Sequence, residues 1–239
     1  MFNDLPQKFV QDFIEKERWK YITSGLKTTL LITVLAVIVG VVIGAVIAVI
    51  RTSHDQLEGR KHGTGMVLLN VADGICRLYL TVIRGTPVLV QLLLLYFVFM
   101  VSCQSKVVVA VTAFGINSGA YVAEIIRSGI MSVDIGQMEA GRSLGLSYTR
   151  TMRLIVLPQA FKNCLPSLVN ELITLLKETS ICGYIGLNEL TRGGDIIRSN
   201  TFDAMLPLLA VAAIYLVIVM FFTWLMGKLE RRLRESDKR

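Results

Sequence analysis

Long uncharged runs alternate with short charged stretches along the 239-residue chain. Thr28–Ile50 is uncharged for 23 residues, Val88–Ser105 for 18, Val107–Ala123 for 17 and Ala204–Gly227 for 24. A hydrocarbon core of about 30 Å needs about 20 mostly apolar helical residues, each rising about 1.5 Å, so these runs predict four membrane spans. A fifth run, Leu165–Leu187, is apolar apart from Glu171, Lys177 and Glu178. Ahead of the first span, Phe9, Val10, Phe13, Ile14 and Tyr21 recur at helical spacing among Asp12, Glu15, Lys16 and Arg18, the pattern of a helix lying at the membrane surface. Met66–Ile83 looks like a span by average hydropathy, but Asn70, Asp73, Arg77 and Arg84 fall on one stripe and predict a second in-plane helix. Pro87 suits the start of the next span, because the first turn of a helix leaves its N–H groups unpaired anyway. The whole reads as an all-α integral membrane protein with five transmembrane helices plus interfacial helices.

Composition agrees: 53% of residues are hydrophobic, 18% are charged and the mean hydropathy is +0.59, against about a quarter charged in a soluble domain. The net charge of +7 is a topology signal, not the mark of a nucleic-acid binder, because Lys and Arg gather in loops kept in the cytoplasm. Arg51–Thr86 holds five Lys or Arg, Glu124–Cys164 five and the segment after Met226 six, against eight on the opposite side. The amino terminus is therefore expected outside and the tail KLERRLRESDKR inside. The expected organisation is an extracytoplasmic amphipathic segment over 1–27, a transmembrane domain over 28–227 and a basic cytoplasmic tail over 228–239. Acidic residues in the first 25 positions, with no early apolar run, leave the first span to direct insertion. Cys76, Cys103, Cys164 and Cys182 show no metal or disulfide spacing. His54 and His62, flanked by Arg and Lys in the first cytoplasmic loop, read as solvated. No nucleophile with a positioned base is visible, which argues against an intramembrane enzyme.

The stretch from Glu124 to Cys164 is too long for a connector and too short for a domain. Its centre, EAGRSLGLSYTRTMRLIVLPQAF from Glu139 to Phe161, predicts a short helix through Leu144 and a break at Gly145. A second helix, N-capped by Ser147, should stop near Pro158. The result is a cytoplasmic knob within a loop of about residues 128–163. Its apolar set (Leu144, Leu146, Met152, Ile155) lies among Arg142, Arg150 and Arg153, as a plug for a groove on a soluble partner requires.

This stretch resembles the EAA loop of ABC importer permeases. Glu139, Ala140, Gly145, Leu157 and Pro158 match its pattern, and Gly141 stands where a third small residue, usually Ala, is found. GLKTTL (Gly25–Leu30), RGTPVLVQ (Arg84–Gln91), INSGAYVAEIIRSGI (Ile116–Ile130), GQMEAGRSLGLS (Gly136–Ser147), KETS (Lys177–Ser180) and IGLNEL (Ile185–Leu190) are similar to the branch that takes up polar amino acids of the His, Gln, Glu or Arg type. The resemblance implies a type I ABC importer permease-like core whose coupling helix, with Glu139, Ala140, Gly141, Leu144, Gly145, Leu157 and Pro158, seats in a cytoplasmic ATPase subunit. It further implies two ATPase chains, a second permease chain, identical or similar, and an extracytoplasmic solute-binding protein, all at the plasma (inner) membrane of a bacterium. The chain lacks GxxxxGK[ST], the loop whose N–H groups cradle phosphates. ATP and Mg are therefore expected on the ATPase, and the chain itself is expected to need no cofactor or metal and to do no covalent chemistry.

On the fifth run, at about 100° per residue, Ser167, Asn170, Glu171, Thr174, Lys177 and Glu178 fall within about 120° of arc. Charges at membrane depth cost at least about 2.5 kcal/mol each, so this face should meet a cavity or a partner. Two readings fit. The charges pair to hold the bundle, or Asn170, Glu171, Thr174, Lys177 and Glu178 line a path that offers both signs to a zwitterion. An ion-coupled secondary transporter or channel would use the same residues as coupling groups. Gly193-Gly194 predicts a turn in an outer loop.

Overall fold

The computed structural model describes residues 5–57 and 64–237, the side chains of 233–237 excepted. Every regular element among the described residues is helical. Helix α1 (Leu5–Phe9) runs through a π turn (Val10–Ile14) into a 3-10 turn (Glu15–Glu17), where Lys16 and Glu17 adopt φ of 52° and 54°. Helix α2 (Trp19–Leu57) follows, then α3 (Thr64–Gly85), α4 (Val88–Leu94), α5 (Lys106–Met131) and α6 (Ile135–Ser143). Last come α7 (Tyr148–Thr151), α8 (Leu157–Glu178), α9 (Leu190–Thr201) and α10 (Met205–Asp237). Four are long and apolar enough to cross a membrane: α2, α3, α5 and Met205–Arg232 of α10. Helix α8, with 22 residues and a length of about 33 Å, matches them in reach but carries the expected charges.

Several expectations need correction. Val88–Ser105 is not one helix, because α4 passes into a π turn that ends at Phe99. The 12 residues of Val88–Phe99 reach only about 18 Å. The helix expected over Met66–Ile83 runs further at both ends, as the 22 residues of α3, about 33 Å long. Its most awkward charge, Asp73, is buried and answered by Arg77 Nε at 2.5 Å and Arg51 Nε at 3.6 Å. The amphipathic segment before the first span is broken at Glu15–Glu17. Phe13 packs with Ile22, Leu190, Ile197 and Val211, while Phe9, Val10 and Ile14 stay exposed. Gly193 and Gly194 lie inside α9, buried. A Cβ on Gly193 would stand 2.5 Å from the Tyr21 carbonyl oxygen, and one on Gly194 2.5 Å from Val211 Cγ2. His54 is buried too, 7% exposed, with Nδ1 3.8 Å from Asp55 and 3.9 Å from Asp73. His62 lies outside the described residues.

The chain divides into two compact units. The first comprises Met1–Val37, Val88–Phe114 and Leu172–Gly227. It holds one apolar core around Ile32, Leu92, Phe114 and Leu175, and a second around Phe13, Leu190 and Ile197. The second unit comprises Ile38–Pro87, Gly115–Glu171 and Lys228–Arg239, and its core joins Ile47, Cys76, Leu80, Ala120 and Ala123. In that unit α2 and α5 touch at small residues. Cβ atoms on Gly40 and Gly44 would come within 2.9 Å of Ser118 and 2.6 Å of Val122, and one on Gly119 within 2.7 Å of Ile43. Close backbone approach through small residues four apart is how helices associate in lipid, where apolar burial gives no preference for a neighbouring helix.

Candidate functional site

In the second unit, α6 is capped at its start by Asp134, which accepts the Gly136 N–H at 2.6 Å. At its end the Leu146 N–H bonds back to the Gly141 carbonyl, with Gly145 at φ 85°. That closure needs the left-handed region, which glycine enters without a Cβ penalty. Ser147 stands at the start of α7, yet its side chain makes no capping bond. The chain does not stop at Pro158 either. A π turn (Met152–Val156) carries it into α8, whose second residue is Pro158. Beside a π turn the ladder is already re-registered, so the missing N–H of proline is accommodated there.

The two short helices form the expected knob. Glu139, Ala140, Arg142, Gly145, Leu157 and Pro158 are exposed, and Leu144 at the tip is 82% exposed. Gly141 alone of the set is buried, on the inner side of α6, where a Cβ would meet Thr151 Cγ2 at 2.5 Å and Ile155 Cδ1 at 3.0 Å. This packing accounts for glycine where the EAA pattern usually has alanine. Behind α6 lies a cleft of about 600 Å³ lined by Met131, Met138 and Met152 together with Asp55, Glu139 and Arg142.

The polar arc of α8 divides between the units. In the second unit Ser167 and Asn170 are exposed, and Glu171 is half-buried and accepts the Ser118 hydroxyl at 2.8 Å. In the first unit Thr174 and Lys177 are exposed and Glu178 is half-buried, while Ile173, Leu175 and Leu176 are buried. Ser167, Asn170, Thr174 and Lys177 thus stand exposed on the polar side of α8, alongside the half-buried Glu171 and Glu178.

A cavity of about 590 Å³ within the second unit brings Ser167 and Glu171 together with Arg84, Tyr121, Glu124 and Asn163. The Arg84 guanidinium lies 5.6 Å from the Tyr121 ring centroid and 4.0 Å from Glu124, whose carboxylate is also held by Arg51 at 2.8 Å. Such a space suits a small molecule bearing both charges. Arg84 and Glu124 were not singled out as site residues from the sequence, although both lie in the motif blocks RGTPVLVQ and INSGAYVAEIIRSGI. What was missing was the register that sets α3 against α5, marked by the Tyr79 hydroxyl donating to the Ile116 carbonyl at 2.5 Å.

Residues 63–235 match the family described as binding-protein-dependent transport system inner membrane component. The arginine transport system permease protein ArtQ of Bacillus subtilis is 42% identical over 166 residues, 68% of this chain and 76% of its own length. The glutamine transport system permease protein GlnP of Escherichia coli is 39% identical over 168 residues, covering 69% and 77%. The crystal structure of an amino acid ABC transporter with histidines matches with a TM-score of 0.78 at 43% identity, over 89% of this chain and 94% of that one. The MetNI methionine ABC transporter shares the fold alone, with a TM-score of 0.74 at 18% identity.

Proposed function

The chain belongs to the inner-membrane components of binding-protein-dependent transport systems, and from that premise we propose that it forms the membrane path of an importer for polar amino acids. It is a permease subunit and carries no catalytic role of its own. The observation that carries the reading is the exposed knob on α6, which presents Leu144 and flanking Arg142 to a partner. Two cytoplasmic ATPase chains seat these knobs, bind ATP and Mg, and transmit closure to the helices, while a binding protein delivers the amino acid from outside. A single chain has too few helices to enclose a path, so a second permease chain completes it.

Five crossings fit the loop charges: α2, one within residues 64–99, α5, α8 and α10, with the amino terminus outside and the carboxyl terminus in the cytoplasm. Substrate identity is supported by two things. Two relatives are named as arginine and glutamine transport permeases, and a solved relative is an amino acid ABC transporter with histidines. The cavity beside α8 offers Arg84 to an α-carboxylate and Glu171 to an α-amine. Asn170, Thr174, Lys177 and Glu178 continue the path along α8. Alternating access then follows from two states whose balance the binding protein and ATP bias.

The test is purification of the tagged chain from its host in mild detergent. An ATPase should co-purify with the native chain and be lost from the variant Leu144→Asp. A chain that emerges without an ATPase under every detergent and salt condition would contradict the proposal.

A further inference from the structure

Phe202 is 94% exposed, more than any other large hydrophobic side chain described, and sits at φ 58° and ψ 14°. A bulky residue in the left-handed region is strained, and glycine or asparagine would end α9 there at less cost. The strain is imposed from several sides. The Phe202 N–H bonds to the Arg198 carbonyl at 2.9 Å, the Asp203 N–H to Thr201 Oγ1 at 3.3 Å, and Asp203 Oδ1 accepts the Met205 N–H at 2.9 Å. Lys8 fastens Asp203 from the amino-terminal segment at 3.3 Å. Within its own unit the chain thus fixes the backbone of Phe202 firmly and gives its ring almost nothing to pack against. Strain kept under such over-determination points to a contact made outside the chain.

The surroundings identify the contact. Arg198, Ser199 and Asn200, which precede Phe202, are exposed, as is Arg192 at the start of the helix; both arginines share Asp195, at 2.8 Å and 2.5 Å. One aromatic anchor within a polar rim of net positive charge is the anatomy of a protein interface. The lipid-facing surface of this chain is different: α10 exposes Leu208, Leu209, Leu216 and Val217 with no charge among them. We propose that Phe202, with Arg198 one turn before it and Arg192 further along the same helix, is a preformed anchor for the solute-binding protein, inserting into an apolar notch rimmed by carboxylates. The inference rests on the reading of the chain as a permease with its α9–α10 corner outside. Fixing the backbone that carries the ring before encounter removes part of the ordering cost from docking.

The permease–ATPase complex in proteoliposomes, titrated with amino-acid-loaded binding protein while ATP hydrolysis is followed, tests the anchor. Phe202→Ala should raise the half-saturating binding-protein concentration about tenfold, the effect of losing one modest anchor, with the maximal rate unchanged. Phe202→Trp should retain most of the native response. Phe202→Gly should weaken docking as much as Phe202→Ala yet melt no lower than the native complex, since it relieves the backbone; a merely structural phenylalanine would not separate the two. Benzoylphenylalanine placed at 202 should crosslink to the binding protein. Superimposable titrations of native and Phe202→Ala complexes, or crosslinks to lipid alone, overturn the anchor while leaving the permease reading intact. A native complex with no response to any binding protein would overturn that reading and the anchor with it.

Discussion

Asp12 and Asp203 interact at one corner of the first unit with opposite acid–base leanings. Burial pushes the Asp12 carboxyl up, more than the neighbouring Thr201 hydroxyl and the charges of Arg18 and Lys8 hold it down. The Met205 N–H holds Asp203 down, helped by Lys8. A carboxyl raised on folding favours the protonated state, so stability from Asp12 is full at low pH and is lost as pH rises from the ordinary carboxylate range through its raised value. Asp12→Asn should therefore raise the melting temperature of the complex at pH 8 and flatten the fall in stability that begins as pH rises out of the ordinary carboxylate range. An unchanged profile would show that burial at Asp12 does not penalise charge. In the knob, Gly141→Ala drives a Cβ into Thr151 and should cost about 1–3 kcal/mol as overpacking does; adding Thr151→Ser, which deletes the clashing methyl, should recover much of that in thermal melts. Periodicity could place Glu171 on the polar side of α8, but not His54 between Asp55 and Asp73, because burial by other helices leaves no trace in local spacing. If Glu171 receives the amine, Glu171→Gln should lower uptake at least tenfold, as loss of a charge-assisted contact of about 1.5–3 kcal/mol implies, with ATPase assembly unaffected.

At the scale of elements, runs of uncharged residues located α2, α5 and α10, and a mostly apolar run with one polar face located α8, because lipid imposes both length and apolarity on a spanning helix. The knob was legible for a different reason: a glycine at a helix end and a polar residue at the next start are local backbone requirements. The interrupted helix was not legible: Val88–Phe99 ends in a π turn that no composition signals. On α3, Asp73, the charge that stands out in an apolar helix, is answered by Arg51 and Arg77. Pro158 read as a terminus and is a position beside a π turn; Gly193 and Gly194 read as a turn and are packing sites within α9. The tip of the knob gives the prediction at this scale. Gly145→Ala forces a Cβ into φ 85° and should cost about 1 kcal/mol, releasing the closure of α6 and lowering ATPase stimulation while leaving the amount of chain in the membrane unchanged.

For the whole molecule, the surfaces left uncovered define what it needs. The tip of α6, the polar side of α8 and the corner at Phe202 are each too exposed, too polar for lipid or too strained to be ends in themselves. Cytoplasmic ATPases, substrate with a second permease chain, and a binding protein answer them in turn. The most direct measurement is uptake of radiolabelled arginine, glutamine and histidine into proteoliposomes holding the purified permease–ATPase complex, with the binding protein outside and ATP inside. Accumulation of at least one of them that requires both ATP and the binding protein, and persists when ion gradients are collapsed, is the predicted result. Uptake that proceeds without ATP and disappears with the ion gradient would contradict the account.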